Sequence, residues 1–515
     1  MRRAYPVLLS LALAVPVLTG CGGQTAENTS AFPDATSIVL SDDGVTVDGE
    51  AVPTDETAAV YTAHDIVYYE AGRDFTYGEG TEADEHTTEE AAAHTVVHIT
   101  QPGTYAVSGT LSAGQIAVDL GEDAEDDQSA VVTLILNGAD ITCTVAPAVI
   151  FYSVYECGST DEDAAATVDT SAAGANVLIA DGTVNNVTGS YVARIYEPDS
   201  VVLSEDGTEV ADSSKLHKYD GAFYSKMSMN VGGGEDGSGV LNITADNEGL
   251  DTELHLTIND GVLNIQVTGE TGEGDGIDSN GYLVINGGAV TAAACAESGD
   301  AGIDATAGIT INGGTVMASG NMYDRIDGGD QTYVVFSFAS RQTGGETYTL
   351  QDADGGTVGT WTPVNDFTCL VVSSPDLTAG DYTLWQGDTQ LAGSASDGMG
   401  GPGGMGGGRP MDDSQVPWDF DPQQAPTDGE RPQRPEGEAP AELQENAGGD
   451  APADPPERPE GEAAPDGAEP PADGRGPGSG EDGQSAADLS EIFALTDGGN
   501  FFTGVSPLET AEAAT

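Results

Sequence analysis

Basic residues are scarce in this chain. Lys and Arg together number 14 against 87 Asp and Glu, a formal net charge of -73 over 515 residues. Nucleic-acid binding depends on Lys and Arg that displace counterions from phosphate, so the balance argues against DNA and RNA as partners. It argues equally against docking on anionic lipid, and an anionic ligand would need a bridging cation. Charged residues make up only 20% of the chain and hydrophobic residues 38%, enough for a core over part of it but not a uniform polyelectrolyte. Beyond the N-terminal stretch, no apolar run is long enough to cross a membrane. Cysteine is sparse as well. After Cys21 come Cys143, Cys157, Cys295 and Cys369, and none has the paired spacing of a zinc site. An oxidising compartment permits a Cys143–Cys157 disulfide, but buried free thiols are the expectation. His86, His94, His98, His217 and His255 show no metal spacing on a shared element, and Gly232-Gly233-Gly234 does not lie between a strand and a helix as a phosphate loop would.

What is present begins with a leader. Arg2 and Arg3 precede an apolar stretch from Tyr5 to Leu18, too short for a transmembrane span and of the length of a signal-peptide core. Leu18-Thr19-Gly20-Cys21 resembles a bacterial lipobox, in which the cysteine thiol is lipidated. The expectation is a signal peptide over 1–20, a lipid anchor on Cys21, a tether over 21–37 and an outward-facing protein on the cell membrane.

From residue 38 to 396 the sequence reads as short β segments broken by Gly, Asn and Asp, with no convincing amphipathic helix. Residues 79–94 read as a solvated acidic loop and 94–99 as a strand. The composition changes after Asp397. Residues 397–483 hold 16 of the 26 prolines and almost no apolar runs, so a disordered segment is expected. A short apolar element returns over 484–515.

Internal repetition is the strongest signal. In the segments beginning at Leu254, Tyr282 and Ile309, Leu256, Leu283 and Ile309 form one apolar column and Ile258, Ile285 and Ile311 the next. Leu263, Val290 and Val316 form a third, and Ile265, Ala292 and Ala318 a fourth, stepping by 27 and then 26 residues. Within a segment the apolar residues alternate, the period of a strand. A repeat of this length with several short strands fits one coil of a parallel β-helix, each stacked about 4.8 Å above the last. Asn259-Asp260-Gly261, Asn286-Gly287-Gly288 and Asn312-Gly313-Gly314 mark the corners, since Gly, Asn and Asp tolerate positive φ.

An acidic column rides on the repeat. Gly249-Leu250-Asp251, Gly276-Ile277-Asp278 and Gly302-Ile303-Asp304 recur at the same spacing. With the apolar residue inward, each Asp faces out. Adjacent carboxylates about 5 Å apart would repel by on the order of 1 kcal/mol even in water. Asp275, Asp300, Glu270 and Glu273 add further oxygens, with Asp246, Glu248 and Glu297 nearby. Two readings stand: calcium, a hard ion taking six to eight oxygens, or a solvated acidic face. The register of the Asp column with the core columns favours calcium.

At these residues the chain resembles a known family. GQIAVDL (114–120), VTLILNGADI (132–141), Tyr224-Ser225-Lys226, GDGIDSNG (274–281), the INGGTV steps and TAGDYTLW (378–385) are similar to the carbohydrate-binding β-helix lipoproteins of clostridia, the cellulose- and pectin-binding family. The resemblance covers about Ile38 to Gly393. It implies an all-β fold: a right-handed parallel β-helix of the pectate-lyase type over 38–329, followed by a small β region over 330–396. It also implies calcium along the helix face, carried over here to Asp251, Asp278 and Asp304, and cellulose or acidic plant cell-wall sugars as ligands, without lyase activity as an established property.

Three functions follow. In a non-enzymatic binder, calcium bridges protein and uronate carboxylates while sugar rings stack on Tyr224, Tyr282, Tyr323 or Trp385, residues for which core or edge packing is the alternative role. A lyase needs a basic residue in the column, where only Lys226, Arg325, Lys215 and Lys218 flank it. A hydrolase needs a carboxylate pair such as Asp275/Asp278 or Asp300/Asp304. A cell-surface adhesin or stalk is the third. The binder uses the acidic residues with the fewest further requirements.

Overall fold

The computed structural model describes residues 32–158, 170–269, 274–398 and 489–508. The expected signal peptide, the lipidation site Cys21, Glu270, Glu273 and nearly all of the Pro-rich segment lie outside these residues. The chain divides into two compact units, one of Met1–Gly408 with Leu489–Thr515 and one of Arg409–Asp488, and the second lies wholly outside the described residues.

The described part is nearly all β, with large sheets and almost no helix. Most strands between 95 and 320 run in parallel ladders. One ladder links Gly103–Leu111, Val132–Thr142, Ala175–Ile179, Met229–Gly233, Leu256–Ile258, Tyr282–Ile285 and Gly308–Ile311. A second links Val132–Thr142, Val184–Gly189, Val240–Ala245, Val262–Val267, Ala289–Ala293 and Thr315–Gly320. The third is a seven-stranded sheet running from Val60–Ala63 through Thr95–Ile99, Gly114–Asp119, Val149–Ser153, Gly221–Ser225 and Glu248–Thr252 to Ile277–Ser279. Its first pair is antiparallel and the rest are parallel.

The register follows the apolar columns. Leu256 pairs with Leu283 and Leu283 with Ile309, while Leu263 pairs with Val290 and Val290 with Val316. All are buried in one core. At the corners Gly261, Gly288 and Gly314 have φ of 98°, 82° and 83°, which residues with a Cβ rarely adopt. Beside them Asn286 Nδ2 donates to Asn259 Oδ1 and Asn312 Nδ2 to Asn286 Oδ1, both at 2.9 Å.

One feature departs from the sequence reading, and two more add to it. The acidic stretch 79–94 holds a short helix, Thr88–Ala92, started by a capping box in which Thr87 and Glu90 satisfy each other's backbone donors. Residues 190–220 form an insertion of two small antiparallel pairs, Val192–Tyr196 with Lys215–Tyr219 and Val202–Leu203 with Val210–Asp212. The C-terminal apolar stretch is part of the β region. Gly499–Pro507 lies parallel to Tyr333–Gln342 and antiparallel to Thr389–Ser396, and Phe493, Phe502 and Val505 join a second core with Phe336, Tyr348 and Phe367. Gly393 and Ser490 exchange backbone hydrogen bonds of 3.0 and 2.9 Å, so the chain leaves and rejoins this region at one place. Cys143, Cys295 and Cys369 are buried free thiols, and Cys157 is partly exposed.

Candidate metal centre

The third ladder positions the acidic column. Leu250, Ile277 and Ile303 are buried inward. Asp251 pairs in register with Asp278, and a parallel bridge between Ile277 and Ile303 carries the alignment on toward Asp304. The glycine of each triplet is required by close stacking. A Cβ on Gly249 would lie 2.4 Å from the Gly276 carbonyl oxygen, and one on Gly276 would lie 2.5 Å from that of Gly302.

Two groups of carboxylates result. Glu248, Asp251 and Asp278 bring one oxygen each within 4.8 Å of one another, and so do Asp275, Asp278 and Asp304. Asp278 belongs to both. Asp300 is partly exposed and acts on the charges of Asp275 and Asp304 without joining either group. Glu248 was not among the sequence candidates as a ligand. Strand alternation from Asp251 places it on the opposite face, but it sits where the strand begins. Its signal is the repeated acid-Gly-apolar-Asp pattern of Glu248–Asp251 and Asp275–Asp278. In the next repeat Ala301 takes the acid's place, and its N–H donates to Asp275 Oδ1 at 2.7 Å.

The column is not the open face that alternation implies. Asp251 is 1% exposed, and its Oδ1 is buried with no hydrogen-bond partner. A Cβ on Gly221 would come within 2.7 Å of the Asp251 Cβ, so the neighbouring strand leaves just enough room for it. Burial, reinforced by Asp278, Asp220 and Glu253 and opposed by Lys218, holds its carboxyl well above the usual range. Asp275 is raised well above that range by burial and by Asp304, Asp278 and Asp300. Burial with Asp324 and Asp300 pushes Asp304 up to about 7. Such a set either takes up protons or takes up a cation. The orphaned Asp251 oxygen and the all-oxygen donor set fit a hard divalent ion such as calcium.

The aromatic candidates are dispersed. Tyr224 is 1% exposed, covered by Tyr219 of the insertion at 5.3 Å, and its hydroxyl donates to the Lys218 carbonyl and to Glu253. It offers no face to a sugar. Tyr282 stacks on His255 at 5.5 Å, Tyr323 lies 5.9 Å from Phe501, and Trp385 donates its indole N–H to Thr383. These three remain partly exposed on separate strands or loops.

The stretch that carries both carboxylate groups is also the stretch with a match among known families. Residues 93–327 match the family model for carbohydrate-binding domain-containing proteins. Among curated proteins none matches. A solved structure described as the polysaccharide lyase-like protein from C. thermocellum, in a gadolinium derivative, is similar at 21% identity. It covers 54% of this chain and 81% of that one, with a TM-score of 0.30, too loose a likeness to carry any conclusion. The family description supports polysaccharide binding in general.

Proposed function

We propose that this is a lipid-anchored carbohydrate-binding protein of the outer cell surface. Its stacked ladders are the coils of a right-handed parallel β-helix, and calcium held by the acidic column bridges to the carboxylates of a plant cell-wall polysaccharide. The observation that carries the reading is the buried, unpartnered oxygen of Asp251 beside Asp278, which two carboxylate groups share. The net charge of -73 repels a polyuronate as a whole, and a divalent ion on the acidic column relieves that repulsion. The protein's part is to fix the oxygens; Asp278 and Asp304, partly exposed, leave the ion open to a sugar carboxylate. Anchoring through Cys21 would hold this face outside the membrane.

The test is co-sedimentation of the purified chain with polygalacturonate and with cellulose, in calcium and in EDTA, with absorbance read for unsaturated uronates. Sedimentation with polygalacturonate that is stronger in calcium than in EDTA, with no unsaturated product, is expected. Sedimentation with neither polymer would favour the adhesin reading, and unsaturated product would make the chain a lyase.

A further inference from the structure

Away from the acidic column, the loop 72–80 meets the first strand of the insertion, and between them lies a cleft of about 390 Å³ lined by Arg73, Asp74, Thr76, Tyr77, Tyr196 and Pro198, among others. This is within the range of about 300–1,000 Å³ typical of small-ligand sites. Backbone contacts fix its walls. Gly78 and Ile195 form an antiparallel bridge, Glu79 N donates to the Arg194 carbonyl at 2.9 Å and Tyr196 N to that of Tyr77 at 2.8 Å. Beneath the loop, Tyr69 is buried with its ring 5.1 Å from that of Tyr77. Side chains at Gly78 or Gly80 would collide with this packing: a Cβ on Gly78 would meet the Arg194 carbonyl oxygen at 2.2 Å, and one on Gly80 the Tyr69 ring at 2.6 Å.

A cation stands in this wall. Arg73 lies over the Tyr77 ring, 4.6 Å from its centre, with its side chain half exposed. Its ion pair with Glu70 spans 3.6 Å, too long for a hydrogen bond, so that pair uses none of its N–H donors. A guanidinium held on an aromatic face presents a planar fork that matches a carboxylate. Pro198, exposed beside the buried Tyr196, offers apolar surface to the C–H face of a sugar ring. Thr76 and Asp74 supply polar groups for hydroxyls, although one Asp74 oxygen already accepts from the Thr76 N–H and hydroxyl.

We propose that this cleft is a second, calcium-independent subsite for an acidic sugar, with Arg73 holding the uronate carboxylate. The proposal rests on the polysaccharide reading above and adds a contact that needs no metal. The test is calorimetric titration of the full chain with trigalacturonate, in calcium and in EDTA, using the wild type, Arg73→Gln and Asp278→Asn, with melting curves as the folding control. In EDTA the wild type and Asp278→Asn are expected to bind alike and Arg73→Gln about tenfold or more weakly, as for a lost charged hydrogen bond. Equal binding by Arg73→Gln in EDTA overturns the subsite. So does wild-type binding that persists in calcium and vanishes in EDTA. Absence of binding under both conditions overturns the polysaccharide reading itself, and the subsite with it.

Discussion

Asp251 and Asp278 are register partners on adjacent parallel strands, and the Asp251 carboxylate keeps one buried oxygen that accepts no hydrogen bond. A buried, unsatisfied carboxylate oxygen beside a second carboxylate is unfavourable unless a proton or a cation joins them. The surrounding strands are built to hold the pair in place, from the apolar residue before each Asp to the glycine before that.

The metal-free protein is therefore expected to lose stability as pH rises. Asp304 is held at about 7 against about 3.9 for an unfolded aspartate. Between those values the folded chain binds more protons than the unfolded one, so stability falls with increasing pH. Asp251 and Asp275, raised well above the usual range, carry the fall further upward. Melting in EDTA should give a higher Tm at pH 5 than at pH 8, and Asp304→Asn should flatten the difference. A higher Tm at pH 8, or an unchanged slope in the variant, would contradict this.

Glycine stacking behind the column makes a second expectation. In Gly276→Ala the new methyl would lie 2.5 Å from the Gly302 carbonyl oxygen and 3.0 Å from the Ala292 Cβ. Overpacking of this kind costs about 1–3 kcal/mol. Nothing lies within 4 Å of a Cβ built on Gly299, so Gly299→Ala is the matched control, expected within about 0.5 kcal/mol of wild type. Urea denaturation measures both, and equal midpoints would show that the strands do not stack as described.

The side-chain ladder of Asn259, Asn286 and Asn312 supports the corners rather than the ligand. Asn286 both donates to Asn259 and accepts from Asn312. Asn286→Ala removes two exposed hydrogen bonds and should destabilise by about 1 kcal/mol, with calcium affinity unchanged. A change in calcium affinity without a change in Tm would place the ladder in the site.

The apolar columns were legible because a two-residue strand period and a repeat of 26 or 27 residues fix both facing and register. Met229 above Leu256 and Leu256 above Leu283 are paired as that spacing requires. The grouping of Asp278 with Asp251 and with Asp304 followed from the same arithmetic. The covering of Tyr224 did not, because it comes from Tyr219 in an insertion with no counterpart in the repeat. Glu248 was hidden by strict alternation, which fails where a strand begins. Where Phe493 and Phe502 dock was not legible, because their partners, Phe336 above all, lie more than a hundred residues earlier.

Calcium titration of the wild type and Asp278→Asn, followed by calorimetry, tests the shared-ligand account most directly. Both carboxylate groups include Asp278, so the wild type is expected to take up ions in two phases and the single substitution to weaken both together. A variant that titrates like the wild type would contradict the account.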